Sequence, residues 1–278
     1  MREDFVRCFD PHGFHFMRYA EWGDPHNKHV LICVHGLTRN GRDFDYVAES
    51  LQDAYRVVSV DIVGRGRSDW LRDPADYNYP VYCSDLTTLI AKLGVETVDW
   101  LGTSMGGIIG MIMASLPGSP VRKLVVNDVG ALLPKAALER IGMYVGKEAV
   151  FDSIEAMEAA VRAISPFGEL TDEQWRHITV TGARQDSDGK WRFRYDPGIA
   201  KNFHAVPLAD IDLSRIWNGV HGPALVIRGE HSDLLRADTL EAMRSRPHTE
   251  TLVVPHCGHA PMLMDDFQAG AIRRFLLG

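Results

Sequence analysis

Six short apolar runs, at 29–34, 55–60, 97–101, 124–126, 224–227 and 251–254, constrain this chain more than any other feature. Each is β-branched or aliphatic and is bounded by glycine or polar residues. Helix-length stretches separate them. Continuous runs of this kind suit strands buried on both faces of a parallel sheet, where an alternating pattern would suit a half-exposed one. Two earlier segments, 5–9 and 13–20, read as an antiparallel hairpin at the sheet edge. Eight glycines (Gly36, Gly64, Gly66, Gly102, Gly106, Gly107, Gly229 and Gly258) fall at or near the carboxyl ends of the runs, where open α/β sheets place their sites.

The alternation breaks once, between Asp128 and Gly222. Helical segments are expected there at 135–145 and 153–164, with Thr171 capping a further helix that begins with two acids. A structureless loop of this length is uncommon in a compact domain, so the stretch reads as a cap over the strand ends. The expected division is a core of 1–130 and 215–278, with a cap at 131–214.

Composition excludes several classes. With 30 basic and 37 acidic residues the net charge is −7, which leaves no basic surplus to neutralise nucleic-acid phosphates. No apolar run approaches the roughly 18 residues of a membrane span. The start, Met1-Arg2-Glu3-Asp4, lacks the pattern of a secretory signal. Four scattered cysteines without a Cys-x-x-Cys pair read as reduced, mostly buried thiols. A cytoplasmic protein without metal or cofactor is expected.

Gly102-Thr103-Ser104-Met105-Gly106 directly follows the run at 97–101 and precedes a helix-like run at 108–114. A serine between strand and helix on a tight turn is exposed at the top of the sheet. Flanking glycines remove the Cβ atoms that would clash. Ser104 is therefore the candidate nucleophile, and the amide of Met105 can donate to an oxyanion.

Four segments in this order resemble the α/β-hydrolase superfamily, over essentially the full length. They are His35-Gly36-Leu37, Asp61-Ile62-Val63-Gly64-Arg65-Gly66-Arg67-Ser68, the turn at Ser104, and Gly258-His259-Ala260-Pro261. The resemblance implies a mostly parallel central sheet flanked by helices, with a helical cap inserted after the sixth strand. It also implies His259 as the base and the amide of Leu37 as second oxyanion donor; His256 is the alternative base. For the acid, the superfamily's Ser…Asp…His order favours Asp233. Asp128 is the rival, because some relatives carry the acid after the preceding strand, and Glu230 is also nearby. His35, Asp61 and Ser68 are expected to brace their loops. Arg39 and Asn40 follow the oxyanion segment and are candidates for facing the pocket.

The implied reaction is hydrolysis of a small-molecule carboxylic ester through an acyl-enzyme, on short to medium acyl esters, hydroxyacid oligomers or lactones. A serine at the elbow disfavours the dehalogenases and epoxide hydrolases of this fold, which use a carboxylate. Carbon–carbon bond hydrolysis of a ring-fission diketone uses the same triad, with Arg39, Arg184, Arg192 or Arg194 available for a substrate carboxylate. A non-catalytic ligand receptor is the third class. Ile141, Met143, Tyr144, Phe151, Met157, Phe167 and Trp175 are expected either to line an acyl pocket or to form the cap's own core.

Overall fold

The central sheet takes its order from which apolar runs can be buried on both faces. In a computed structural model describing residues 1–205 and 207–278, strands β1 (Arg2–Asp10), β2 (Gly13–Trp22), β3 (Val30–Val34), β4 (Arg56–Asp61), β5 (Val98–Thr103) and β6 (Val121–Asn127) come first. Four short strands follow outside that sheet: β7 (Leu132–Leu133), β8 (Ala183–Gln185), β9 (Trp191–Phe193) and β10 (Ile211–Asp212). Then β11 (Ala224–Gly229) and β12 (Thr249–Val254) return to it. The eight-stranded order is β1-β2-β4-β3-β5-β6-β11-β12. The hairpin β1–β2 is antiparallel, as is β2 against β4; all other pairs are parallel. The expected edge hairpin and the six core strands are all present.

Alternate residues of the inner parallel strands feed two separate cores. Val30, Ile32 and Val34 of β3, Leu124 and Val126 of β6, and Val226 of β11 face one side. There they meet α2 (Tyr79–Leu93) and α3 (Met105–Ser115), which follow α1 (Asp45–Leu51) in the chain. Leu31, Cys33, Val125, Leu225 and Ile227 face the other side, against α1 and the C-terminal helix Asp266–Leu277. Both faces are covered, which is why the runs show no polar alternation.

The stretch between β6 and β11 carries α4 (Lys135–Gly142), α5 (Ile154–Ile164), α6 (Asp172–Thr181), α7 (Ala200–Phe203) and α8 (Ser214–Asn218). Ser153 caps α5 by accepting from the Ala156 amide. Thr171 and Gln174 form a reciprocal capping box on α6. The helix expected at 135–145 ends earlier, at Gly142. Met157, Trp175, Ile154, Val161 and Ile178 form a small separate core together with Met262 and Met264, with Phe151 and Phe167 at its margin. Met143 and Tyr144 are exposed. Among the described residues, no helix is long and apolar enough to cross a membrane.

The edge hairpin is pinned by a buried polar cluster. His15 Nδ1 lies 2.8 Å from Asp10 and Nε2 lies 2.8 Å from Asp85 of α2. Burial lowers the affinity of His15 for its proton, but the Asp85 and Asp10 carboxylates outweigh it, and the net pKa lies above the ordinary value. A raised folded-state pKa stabilises fully below the unfolded value of about 6.5 and is lost as pH climbs through the folded one. Replacing His15 with Leu leaves two buried carboxylates without their cation. The expected cost is about 3 kcal/mol at pH 6. The difference from the parent should shrink at pH 9, as read by urea denaturation; equal stability at pH 6 would refute the clamp.

Candidate active site

The turn at Ser104 is built by two close backbone approaches. A Cβ on Gly106 would lie 2.0 Å from the Val34 carbonyl oxygen, and one on Gly102 would lie 2.2 Å from the Gly106 oxygen. No other residue type fits either place without moving the sheet. Helix α3 therefore starts directly behind β5, and Ser104 occupies a strained backbone, with φ 51° and ψ −113°. Its amide donates to Asn127 O at 2.9 Å, and its own carbonyl accepts from Gly107 and Ile108. Gly36 passes so close that its Cβ would stand 3.6 Å from Ser104 Cβ. The loop carrying Leu37 is thus held beside the start of α3, which carries Met105. Both residues line the same cavity as Ser104.

The candidate base and a buried carboxylate arrive from two further strand ends. His259 follows β12, and its Nδ1 lies 2.8 Å from Asp128 Oδ2. Asp128 stands one residue past β6, fully buried, at φ 55°. It also accepts from the Gly229 amide at 2.8 Å and the Ser232 hydroxyl at 2.7 Å. Three hydrogen-bond partners around one buried carboxylate fix its orientation.

Asp233, the acid favoured from chain order, does not face His259. It is half-exposed and takes two bonds from the Arg140 guanidinium of α4, at 2.6 and 2.8 Å. Burial pushes its carboxyl up, but Arg140 outweighs this and holds it below the usual range. The reason for this geometry is local. After β11 the turn directs the Ser232 hydroxyl inward to Asp128, and Asp233 points out toward Arg140 of α4. Glu230 is exposed and accepts from the His256 amide; His256 is itself exposed.

The bracing residues lie where their sequence context put them. His35 is fully buried, and burial pushes its pKa down to about 3, so it is neutral. Its Nδ1–H donates to Gly36 O at 2.7 Å, and its Nε2 accepts from the Ile62 amide at 3.0 Å. Asp61 accepts from the amides of Gly41 and Arg67, and the Ser68 hydroxyl donates to Asp61 O. Arg39 is engaged by Asp43, and Asn40 caps the turn at Gly41–Phe44 and reaches Thr181 O. Arg184 and Arg192 pair with Asp186, and Arg194 donates to Ala183 O. None of these arginines lines the cavity at Ser104.

That cavity has a volume of about 370 Å³. Core residues Leu37, Ile108 and Leu234 form one wall, and Leu138, Ile141 and Phe203 from the inserted stretch close it. Two of its polar side chains are engaged within the protein. Tyr77 donates to Asp196, and Asn202 donates to Ala75 O and Tyr77 O. Two residues that carry no motif of their own also matter. Asn127 ties Thr103 to Pro261 O in the histidine loop, and Arg65 is a fully buried cation beneath the Leu37 loop. Only contact between distant segments reveals either role.

Residues 31–271 match the family model described as "Alpha/beta hydrolase family". The chain is 48% identical to a 3-hydroxybutyrate-oligomer hydrolase of Cupriavidus necator, covering 100% of this chain and 98% of that one. A Rickettsia typhi structure described as a hydrolase superposes with TM-score 0.94 at 33% identity, over 100% of this chain and 99% of that one. An alpha/beta hydrolase structure from Novosphingobium aromaticivorans gives 0.88 at 33% identity, over 99% and 98%.

Asp128→Asn is expected to cut kcat by up to about 10⁴-fold through the wrong imidazole tautomer. Asp233→Asn, which breaks a half-exposed ion pair, should change kcat less than about tenfold. Steady-state kinetics on a p-nitrophenyl ester ranks the two, and the reverse order would return the acid to Asp233.

Proposed function

Because the chain belongs to the alpha/beta hydrolase family, we propose that it is a serine esterase that cleaves hydroxyacid oligomers of the 3-hydroxybutyrate type. The observation that carries the reading is the end-to-end similarity to the Cupriavidus necator oligomer hydrolase. The elbow serine and the Asp128–His259 pair give that similarity a chemistry.

In this reading His259 takes the Ser104 hydroxyl proton as the oxygen attacks the ester carbonyl. Asp128 holds Nδ1–H and stabilises the imidazolium that forms. The amides of Leu37 and Met105 receive the charge that develops on the carbonyl oxygen. His259 then passes its proton to the departing alkoxide, which leaves as the alcohol end of the oligomer. Water, deprotonated by the same histidine, attacks the acyl-enzyme and frees the acid. No cofactor enters. The apolar wall of the cavity suits a short alkyl or hydroxyalkyl acyl group. The carboxylate anchor that a ring-fission diketone would require is not among the cavity-lining residues. The segment 131–214 acts as the cap that completes this wall. A cytoplasmic setting accords with four cysteines that are all free.

The purified protein should hydrolyse 3-hydroxybutyrate dimers and trimers and p-nitrophenyl butyrate, and act poorly on palmitate esters. Ser104→Ala should lose at least about 10³-fold in kcat with the fold intact by circular dichroism. Turnover of simple esters without oligomers would overturn the substrate class alone. Retained activity in a pure Ser104→Ala sample would overturn the serine mechanism.

A further inference from the structure

Arg65 is the largest charged side chain buried without a trace of exposure, and among the described residues it forms no ion pair. A lone buried cation is costly, and a protein retains one only where its surroundings hold it. Here the partners are neutral. Nε donates to Leu37 O at 2.9 Å, and Nη1 donates to Val63 O at 2.9 Å and to the Tyr82 hydroxyl at 3.0 Å. Nη2 stands 3.6 Å from Met105 Sδ. The rings of Tyr82 and Tyr77 lie 5.2 and 5.6 Å from the guanidinium carbon. Residues 194–196 close over it: Arg65 bridges Tyr195, the Gly66 amide donates to Arg194 O, and the Asp196 amide donates to Gly64 O.

Two of these contacts fall on Leu37 and Met105, the residues whose amides the proposed mechanism assigns to the oxyanion. We infer that Arg65 is a positioning residue for the oxyanion hole, fixing the Leu37 loop against Met105 and setting an uncompensated positive charge behind both donors. The inference rests on the serine esterase reading above. With no carboxylate in ion-pair contact, the guanidinium field reaches the site through protein of low dielectric, where a charge acts most strongly. Its interaction with the substrate changes only when the carbonyl oxygen becomes an oxyanion. The effect therefore belongs in kcat and not in ground-state binding.

The test compares Arg65→Met, Arg65→Lys and Ser104→Ala in the full-length chain, with p-nitrophenyl butyrate as substrate and butylboronic acid as a tetrahedral-adduct inhibitor. Arg65→Met should lower kcat about 10- to 100-fold, below the full loss of an oxyanion donor, with KM changed less than about threefold. Boronate affinity should fall in step with kcat. Arg65→Lys should recover part of both, because it keeps the charge but cannot reach Leu37 O and Met105 together. A folded Arg65→Met variant with parental kcat and boronate affinity overturns the inference. So does a kcat loss without weaker boronate binding, because the loss then lies outside the oxyanion. If Arg65→Met fails to fold, Arg65→Lys decides by the same pairing of kcat and boronate affinity; if neither folds, the residue is purely structural and the inference falls. Activity retained in Ser104→Ala would instead remove the esterase reading itself.

Discussion

The catalytic arrangement depends on the close approach of the first turn of α3 to the last residue of β3. Glycine at 106 lets that turn approach the Val34 carbonyl, and glycine at 102 lets the helix begin immediately behind β5. The chain then has no room for an ordinary strand-to-helix connection, and Ser104 takes the strained conformation as a result. Strain of this kind costs about 1–3 kcal/mol and persists only where the surroundings over-determine it. The sheet supplies that determination. Val34 pairs with Gly102, and Thr103 pairs with Asn127, so the ends of β3, β5 and β6 lie in register beneath the serine.

The same register explains which carboxylate reaches the histidine. Asn127 is the partner of both Thr103 and Ile227, so the residue after it emerges between the serine and the end of β11. Asp128 fills that place, and its left-handed backbone turns its carboxylate inward. The turn after β11 contributes the Gly229 amide and the Ser232 hydroxyl as donors to that carboxylate. One strand end therefore brings the carboxylate to His259, and the neighbouring one fixes its orientation. Asp233 comes after the Glu230 and His231 amides have bonded to Val254 O and Cys257 O, and by then the chain is on the outer side of the turn.

Much of this was legible from the chain alone. The strand order of burial, the edge hairpin, the elbow glycines and the Thr171 cap are all local patterns, and local sterics and burial decide them. The choice between Asp128 and Asp233 was not of this kind. Both follow a core strand, both are aspartates, and the difference lies in which way a single turn points its side chains. Arg65 was hidden for a related reason. In the sequence it is one basic residue of a glycine-rich turn, with Arg67 two places on. Only tertiary packing separates them: Arg67 remains exposed and pairs with Glu3, whereas Arg65 is sealed in by Tyr195. The apolar residues of the inserted stretch divided similarly, with Ile141 at the cavity and Met157 and Trp175 in a separate core.

That separate core has a consequence for the histidine. It is not made of inserted residues alone, because Met262 and Met264, which follow His259, are packed within it. Pro166 O accepts from the Gly258 amide at 2.8 Å, and a Cβ at Gly258 would lie 2.8 Å from Pro166 Cβ. Gln174 of α6 donates to Met264 O. The loop that presents His259 is therefore clamped on both flanks by the inserted stretch. Elsewhere the same stretch meets the core through apolar packing, with Leu138, Ile141 and Ile199 in the main core, and through the polar contacts of Arg140 with Asp233, Asp196 with Tyr77 and Lys201 with Asp73, so it is anchored to the sheet along its length.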